Sequence, residues 1–161
     1  MSSYILDLVI GKGNLMIPMN SASPMWFVIS ADGLQHPFST PSVNASEKPE
    51  WNHKVRLILN IEDLSRAYIY FTLCTYSPNG RDVIAIGRSR VGLRNLPKGH
   101  PKQFMFPLMS PSNSAQEAMR INVIASFSQF SQQRNVNSNH PNAPMGSLNN
   151  MYQEQNFYSR P

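Results

Sequence analysis

The sequence predicts an all-β fold, and three observations carry that reading. Apolar side chains recur with a period of two along residues 1–130. β-branched and aromatic residues crowd runs such as Ala67 to Cys74. Clusters of Gly, Pro, Asn and Ser bound these runs. In order, Ile5, Asp7 and Val9 alternate with Tyr4, Leu6 and Leu8 in the first strand. Met25 to Ala31 reads as the second, and Pro37 to Thr40 as a short third. After Trp51, Val55, Leu57 and Leu59 alternate with Lys54, Arg56 and Ile58. Residues 67–74, 83–93 and 104–106 follow as strands. The last places Ile121, Val123, Ala125 and Phe127 opposite Arg120, Asn122 and Ser126. Ser114 to Met119 carries the one weak helical pattern. About eight short strands with Pro- and Gly-rich turns predict a sandwich or a closed barrel.

Composition narrows the function classes. The chain has 161 residues and a formal net charge of +5, with 14% of residues charged against a usual ~25%. Its single cysteine, Cys74, excludes an internal disulfide framework and any cysteine-built metal site. No apolar run approaches the ~20 residues of a membrane helix. The first ten residues carry Asp7 and no basic leader, so a cytoplasmic protein is expected and Asn44-Ala45-Ser46 reads as an ordinary loop.

Composition changes after Phe130. Residues 131–161 hold seven Asn, four Gln, four Ser and three Pro, with Val136 and Leu148 as the aliphatic exceptions. Such a segment buries too little apolar surface to offset backbone ordering. It is expected to be a low-complexity tail, disordered or docked on a partner, with Tyr152, Phe157 and Tyr158 as its docking residues.

Pro49-Glu50-Trp51-Asn52 opens an alternating strand, which runs to an acidic turn, Glu62-Asp63-Leu64. Ile86-Gly87 then begins a strand running to Val91-Gly92-Leu93. Over roughly residues 2–128 this order resembles the C2 domain, which implies an eight-stranded antiparallel β-sandwich. Calcium-binding members of that family use aspartates from two loops at one end, because calcium takes six to eight hard oxygens. Here the first loop, Gly11 to Pro24, has no acid, and Ser23 stands in the place of the Ser-Asp-Pro aspartate. The third loop has Thr75-Tyr76-Ser77 where Asp-x-Asp is usual, and its remaining acid, Asp82, follows Arg81. The resemblance therefore implies the scaffold without a metal or other cofactor.

Two features point to docking. Leu15-Met16-Ile17-Pro18-Met19 is an apolar stretch in the first loop, where an exposed tip can enter a membrane interface or a partner's pocket. Arg88 and Arg90 share one face of their strand, as Lys54 and Arg56 do of theirs, and Lys12 adds a charge near the loop. In the family a lysine-rich sheet face binds phosphoinositide or protein, and Lys54 with Arg56 matches part of it.

Enzymatic readings find little support. Cys74 lies in a strand with no neighbouring His, and His36, His53, His100 and His140 lack metal-ligand spacing. Gly11-Lys12-Gly13-Asn14 lacks the phosphate-loop pattern. Nucleic acid is disfavoured, for no recognition module is present. The sequence reads as a non-catalytic, calcium-independent docking module, a structural or adaptor subunit of a larger protein assembly such as a cytoskeletal one. The alternative is a peripheral adaptor on anionic phospholipid.

Overall fold

The computed structural model describes residues 1–130. Period-two alternation gives each strand one apolar face, and such faces are stable only when another layer covers them. The described residues form nine strands: β1 (Ser2–Leu15), β2 (Pro24–Ala31), β3 (Phe38–Ser39), β4 (Val43–Asn44), β5 (Glu50–Ile61), β6 (Tyr68–Tyr76), β7 (Val83–Gly92), β8 (Lys102–Met109) and β9 (Glu117–Phe130). All strand pairings are antiparallel, in the order β3-β2-β6-β7-β8-β9-β1-β5, with β4 also on β2.

The sheet turns over on itself between β7 and β8, which share a single registered pair, Arg88 with Met109. The layer β3-β2-β6-β7 thereby faces the layer β8-β9-β1-β5. Ring contacts cross between the layers. Phe27 meets Trp51 edge-on at 4.8 Å, and Phe71 meets Phe106 at 5.0 Å. Leu6, Leu8, Ile10, Phe27, Ile29, Leu57, Leu59, Ile69, Leu73, Ile121, Val123 and Phe127 fill one core from both sides. The expected all-β sandwich is the observed architecture.

Several local expectations need correction. The expected short third strand is β3, and an unexpected two-residue strand, β4, follows it after a break at Pro41, which has no N–H to continue the pairing. Thr40 bridges the break: its Oγ1 accepts from Phe27 N–H at 2.9 Å, and its N–H donates to Phe27 O at 2.9 Å. β1 runs on to Leu15 through a bulge between Ile10 and Gly13, so the glycine-rich stretch is strand and not loop. Asn44 ends β4 instead of lying in an ordinary loop. The weak helical pattern at Ser114–Met119 is a turn closed by Ser110 N–H to Gln116 O (2.8 Å), followed by the start of β9. There Met119 pairs with Leu15 and Leu108, and long-range pairing overrides a weak local preference.

β1, β6 and β8 end, and β2, β5, β7 and β9 begin, at the same end of the sandwich, which gathers the connections 16–23, 77–82 and 110–116 and the segment leading into β5. At the opposite end Gly33, with φ +85°, accepts Asn60 N–H at 3.0 Å. A Cβ there would lie 2.4 Å from Asn60 O. Gly33→Ala is expected to cost about 2–4 kcal/mol, from left-handed strain and the clash together, read as a lower denaturation midpoint.

His53 on β5 stacks on Phe38 of β3 at 5.9 Å, and burial lowers its pKa from 6.5. The unfolded chain then binds more protons than the folded one as pH falls through about 6.5, so stability falls with it and levels off below the lowered folded value. Asp63 and Glu117 are held below their ordinary range by hydrogen bonds from Ser65 and Arg120, so their contribution is lost only at more acid pH. Melting temperatures measured from pH 7.5 to 5.5 should decline, and His53→Phe should flatten that decline. An unchanged slope in the variant would refute it.

Candidate functional site

The apolar first-loop stretch does not stand free as a five-residue tip. Leu15 is the last residue of β1: its N–H donates to Glu47 O at 2.8 Å, and its side chain packs against the core, as does Met19. Ile17 is half-buried. Met16 alone of the large side chains there is exposed, at 49%, held at its backbone by a 2.8 Å bond from its N–H to Ala118 O. The expected exposure of Leu15 is corrected because pairing with β9 carries β1 further than the apolar pattern indicates, and that of Met19 because its side chain packs back on the core from the connection 16–23.

Three exposed apolar side chains at the same end were not singled out by sequence. Val83 is 57% exposed and Ile84 39%, both at the start of β7, and Tyr76 at the end of β6 is 38% exposed. β8 stops at Met109 opposite Arg88, so the first residues of β7 stand beyond its pairing reach. The turn beneath them is closed upon itself. Ser77 N–H donates to Asp82 O at 2.7 Å, Gly80 N–H to Ser77 O at 2.8 Å, and Arg81 N–H to Asn79 Oδ1 at 2.9 Å. Tyr76 rests on Trp26, with ring centroids 5.0 Å apart, and Trp26 itself is buried.

Charge at this end is balanced. Lys12 lies 3.9 Å from Glu50, and Arg120 forms a two-pronged bond with Glu117 at 2.7 and 2.8 Å. Lys48 and Arg81 are matched in number by Glu47 and Asp82. The residues standing where the resemblance has carboxylates are occupied by the fold. Thr75 is buried and donates from Oγ1 to Pro24 O at 2.7 Å. Ser77 Oγ donates to Asn79 Oδ1 and accepts Asp82 N–H at 3.2 Å. Ser23 O accepts Ala45 N–H at 2.9 Å. Among the described residues no three His, Cys, Asp or Glu side chains converge as a metal site would need.

The basic residues do not form one surface. Lys54 and Arg56 lie on the outer face of the β8-β9-β1-β5 layer, whereas Arg88 and Arg90 lie on the outer face of the opposite layer. Arg56 is bound to Asp7 through Nε (2.7 Å) and a terminal nitrogen (3.0 Å), which holds the guanidinium firmly protonated and neutralises it locally. Arg90 lies 4.3 Å above the Tyr68 ring. Arg88 neighbours Cys74, whose thiol pKa is pushed up by burial against the opposing pull of that charge. This is the setting of an inert structural thiol. Tyr152, Phe157 and Tyr158 lie outside the described residues.

No family model and no curated protein matches the chain. Solved structures do. A C2 domain of plant extended synaptotagmin 1 is 13% identical with a TM-score of 0.64, covering 80% of this chain and 96% of that one. Human GIVD cytosolic phospholipase A2 is 12% identical with a TM-score of 0.62, covering 81% of this chain and 17% of the enzyme. L. pealei PLC21 is 13% identical with a TM-score of 0.60, covering 84% and 17%. In the two large proteins the match is to the C2 domain only. At these identities the shared property is the fold, and the chain has the C2 fold. None of its described helices is long and apolar enough to cross a membrane.

Proposed function

We propose that the chain is a non-catalytic docking module that attaches by its loop end to a membrane interface, without calcium, and serves as an adaptor or structural subunit in a larger assembly. One observation carries this reading: Met16, Tyr76, Val83 and Ile84 are all exposed at one end of a rigid sandwich. Exposed apolar side chains clustered on an ordered frame mark an interaction surface. Neighbours of the same fold include an extended synaptotagmin and a cytosolic phospholipase A2.

Magnitudes decide the kind of attachment. Burying a fully exposed large apolar side chain is worth about 1.5–3 kcal/mol. Four half-exposed ones therefore supply roughly 4 kcal/mol, near a millimolar dissociation constant. Balanced charge at this end adds little, so attachment by it should depend weakly on salt and on anionic lipid. A contact of that strength is reversible and needs a second one to hold. The adaptor reading supplies it: the separated basic faces, and residues 131–161 with Tyr152, Phe157 and Tyr158, are proposed as protein contacts.

Sedimentation with phosphatidylcholine vesicles, with and without phosphatidylserine, tests the loop end. Met16→Asp with Val83→Asp should lower the bound fraction at least tenfold while leaving the melting temperature within a few degrees. Unchanged sedimentation in that variant would remove the loop end from the proposal.

Calcium is tested separately. A ligand of the folded state raises stability by RT ln(1 + [L]/Kd). Millimolar calcium should shift neither the melting temperature nor the sedimentation. A saturable response at or below ~100 μM, within the range of sensor sites, would overturn calcium independence.

A further inference from the structure

The two ends of the sheet differ in kind. β3 closes one layer with two residues, whereas β5 closes the other with twelve and, among the described residues, pairs with β1 alone. An edge that long is a template for another strand unless something blunts it. Asn60 fixes which backbone groups of β5 face outward. Its N–H donates to Gly33 O at 3.0 Å, away from its β1 neighbour Ser3. In an antiparallel ladder alternate residues share that direction. Lys54, Arg56 and Ile58 therefore turn N–H and C=O away from β1, and no described residue takes them up.

The open stretch has defined limits. The Gly33 bond closes the lower end, and Phe38 stacked on His53 closes the upper. Between them Lys54–Ile58 spans roughly 15 Å at ~3.3 Å per residue. It contains no proline and no bulge. Up to about six main-chain hydrogen bonds are available along it.

Charge selects the occupant. Lys54 is exposed and forms no ion pair among the described residues, whereas Arg56 beside it on the same face is already paired with Asp7. A second copy added antiparallel about Lys54 would set Lys54, which has no ion pair among the described residues, against its own copy, an unfavourable pair of like charges. Residues 131–161 carry Arg134 and Arg160 against Glu154 alone, so they match poorly as well. We propose that the β5 edge at Lys54–Ile58 takes up, by strand addition, an extended acidic segment of a partner protein, with a carboxylate beside Lys54. Main-chain bonds supply the affinity and the Lys54 charge the selection. This surface is separate from the loop end and does not depend on the membrane reading.

The test uses the full chain and a labelled peptide, acetyl-Glu-Val-Glu-Val-Glu-Val-Glu-amide, with a Lys-for-Glu version as control. Fluorescence anisotropy should show saturable binding of the acidic peptide, at least tenfold tighter than the control. Lys54→Pro removes an outward N–H without touching the ladder to β1, and should lower binding at least tenfold. Lys54→Glu should weaken it through charge, and both variants should sediment with vesicles as the wild type does. In amide hydrogen exchange Lys54, Arg56 and Ile58 should exchange fast in the free chain and slow with peptide. Equal binding of both peptides, full binding by Lys54→Pro, slow exchange before peptide is added, or self-association lost in Lys54→Pro would each overturn the proposal. If Lys54→Pro fails to fold, the exchange rates and Lys54→Glu decide the matter.

Discussion

The close approach of β7 to β8 and β9 at Gly87 is the constraint on which the rest depends. A Cβ on Gly87 would lie 3.0 Å from the Leu108 Cβ and 3.3 Å from that of Ala118. A larger residue would push the seam apart just where one registered pair, Arg88 with Met109, joins the two layers. With the seam closed, the inner faces meet and the core forms from both layers. The same seam also explains the exposed end. Because β8 terminates opposite Arg88, the first residues of β7 overhang it, and Val83 and Ile84 remain in solvent. The arrangement that buries one apolar set therefore leaves another exposed.

That link shows what can be read from the sequence. The strands are legible because period two is a local fact, whereas Trp51 and Ile86-Gly87 stand out only as marks of a resemblance, and the fold alone puts Trp51 in the core and Gly87 on the seam. Where a strand ends is not local. Leu15 belongs to β1 because Met119 and Glu47 lie where they can bond and pack with it, more than thirty residues away in sequence. The exposure of Val83 depends likewise on the end of β8. Arg56 looks available until the register of β1 on β5 sets Asp7 beside it. Parity puts Lys54 with Arg56 and Arg88 with Arg90, but only the order of strands puts the two pairs on opposite faces. Pattern gives a side chain's face; topology gives that face its neighbours.

The geometry of charge and apolar surface sets how this module can hold on to anything. Balanced charge at the loop end supplies little long-range attraction, and the net positive charge lies mainly on the faces and the opposite end. An apolar contact without electrostatic reinforcement is weak and indifferent to salt. The β5 edge is its complement, with outward main-chain donors and acceptors and the exposed Lys54 but little exposed apolar area. When two weak contacts lie on one rigid body, the first raises the local concentration for the second, and the product can exceed either by orders of magnitude. On the proposed reading the two surfaces use different physics and need not compete.

Rigidity at the loop end completes this account. Thr75 Oγ1 to Pro24 O joins the end of β6 to the start of β2. Ala45 N–H to Ser23 O and Leu15 N–H to Glu47 O draw in the segment before β5. These bonds tie together connections that an ion would otherwise have to bridge, and they are made whether or not a partner is present. Ordering a loop on binding consumes part of the interaction energy, so a loop already ordered retains more of a small apolar gain. With only roughly 4 kcal/mol of burial available from four half-exposed side chains, that saving decides whether the contact is measurable. The hydroxyls at Thr75 and Ser77 therefore tie the end of β6 to the start of β2 and close the turn before β7, and so fix where the exposed Tyr76 and Val83 stand.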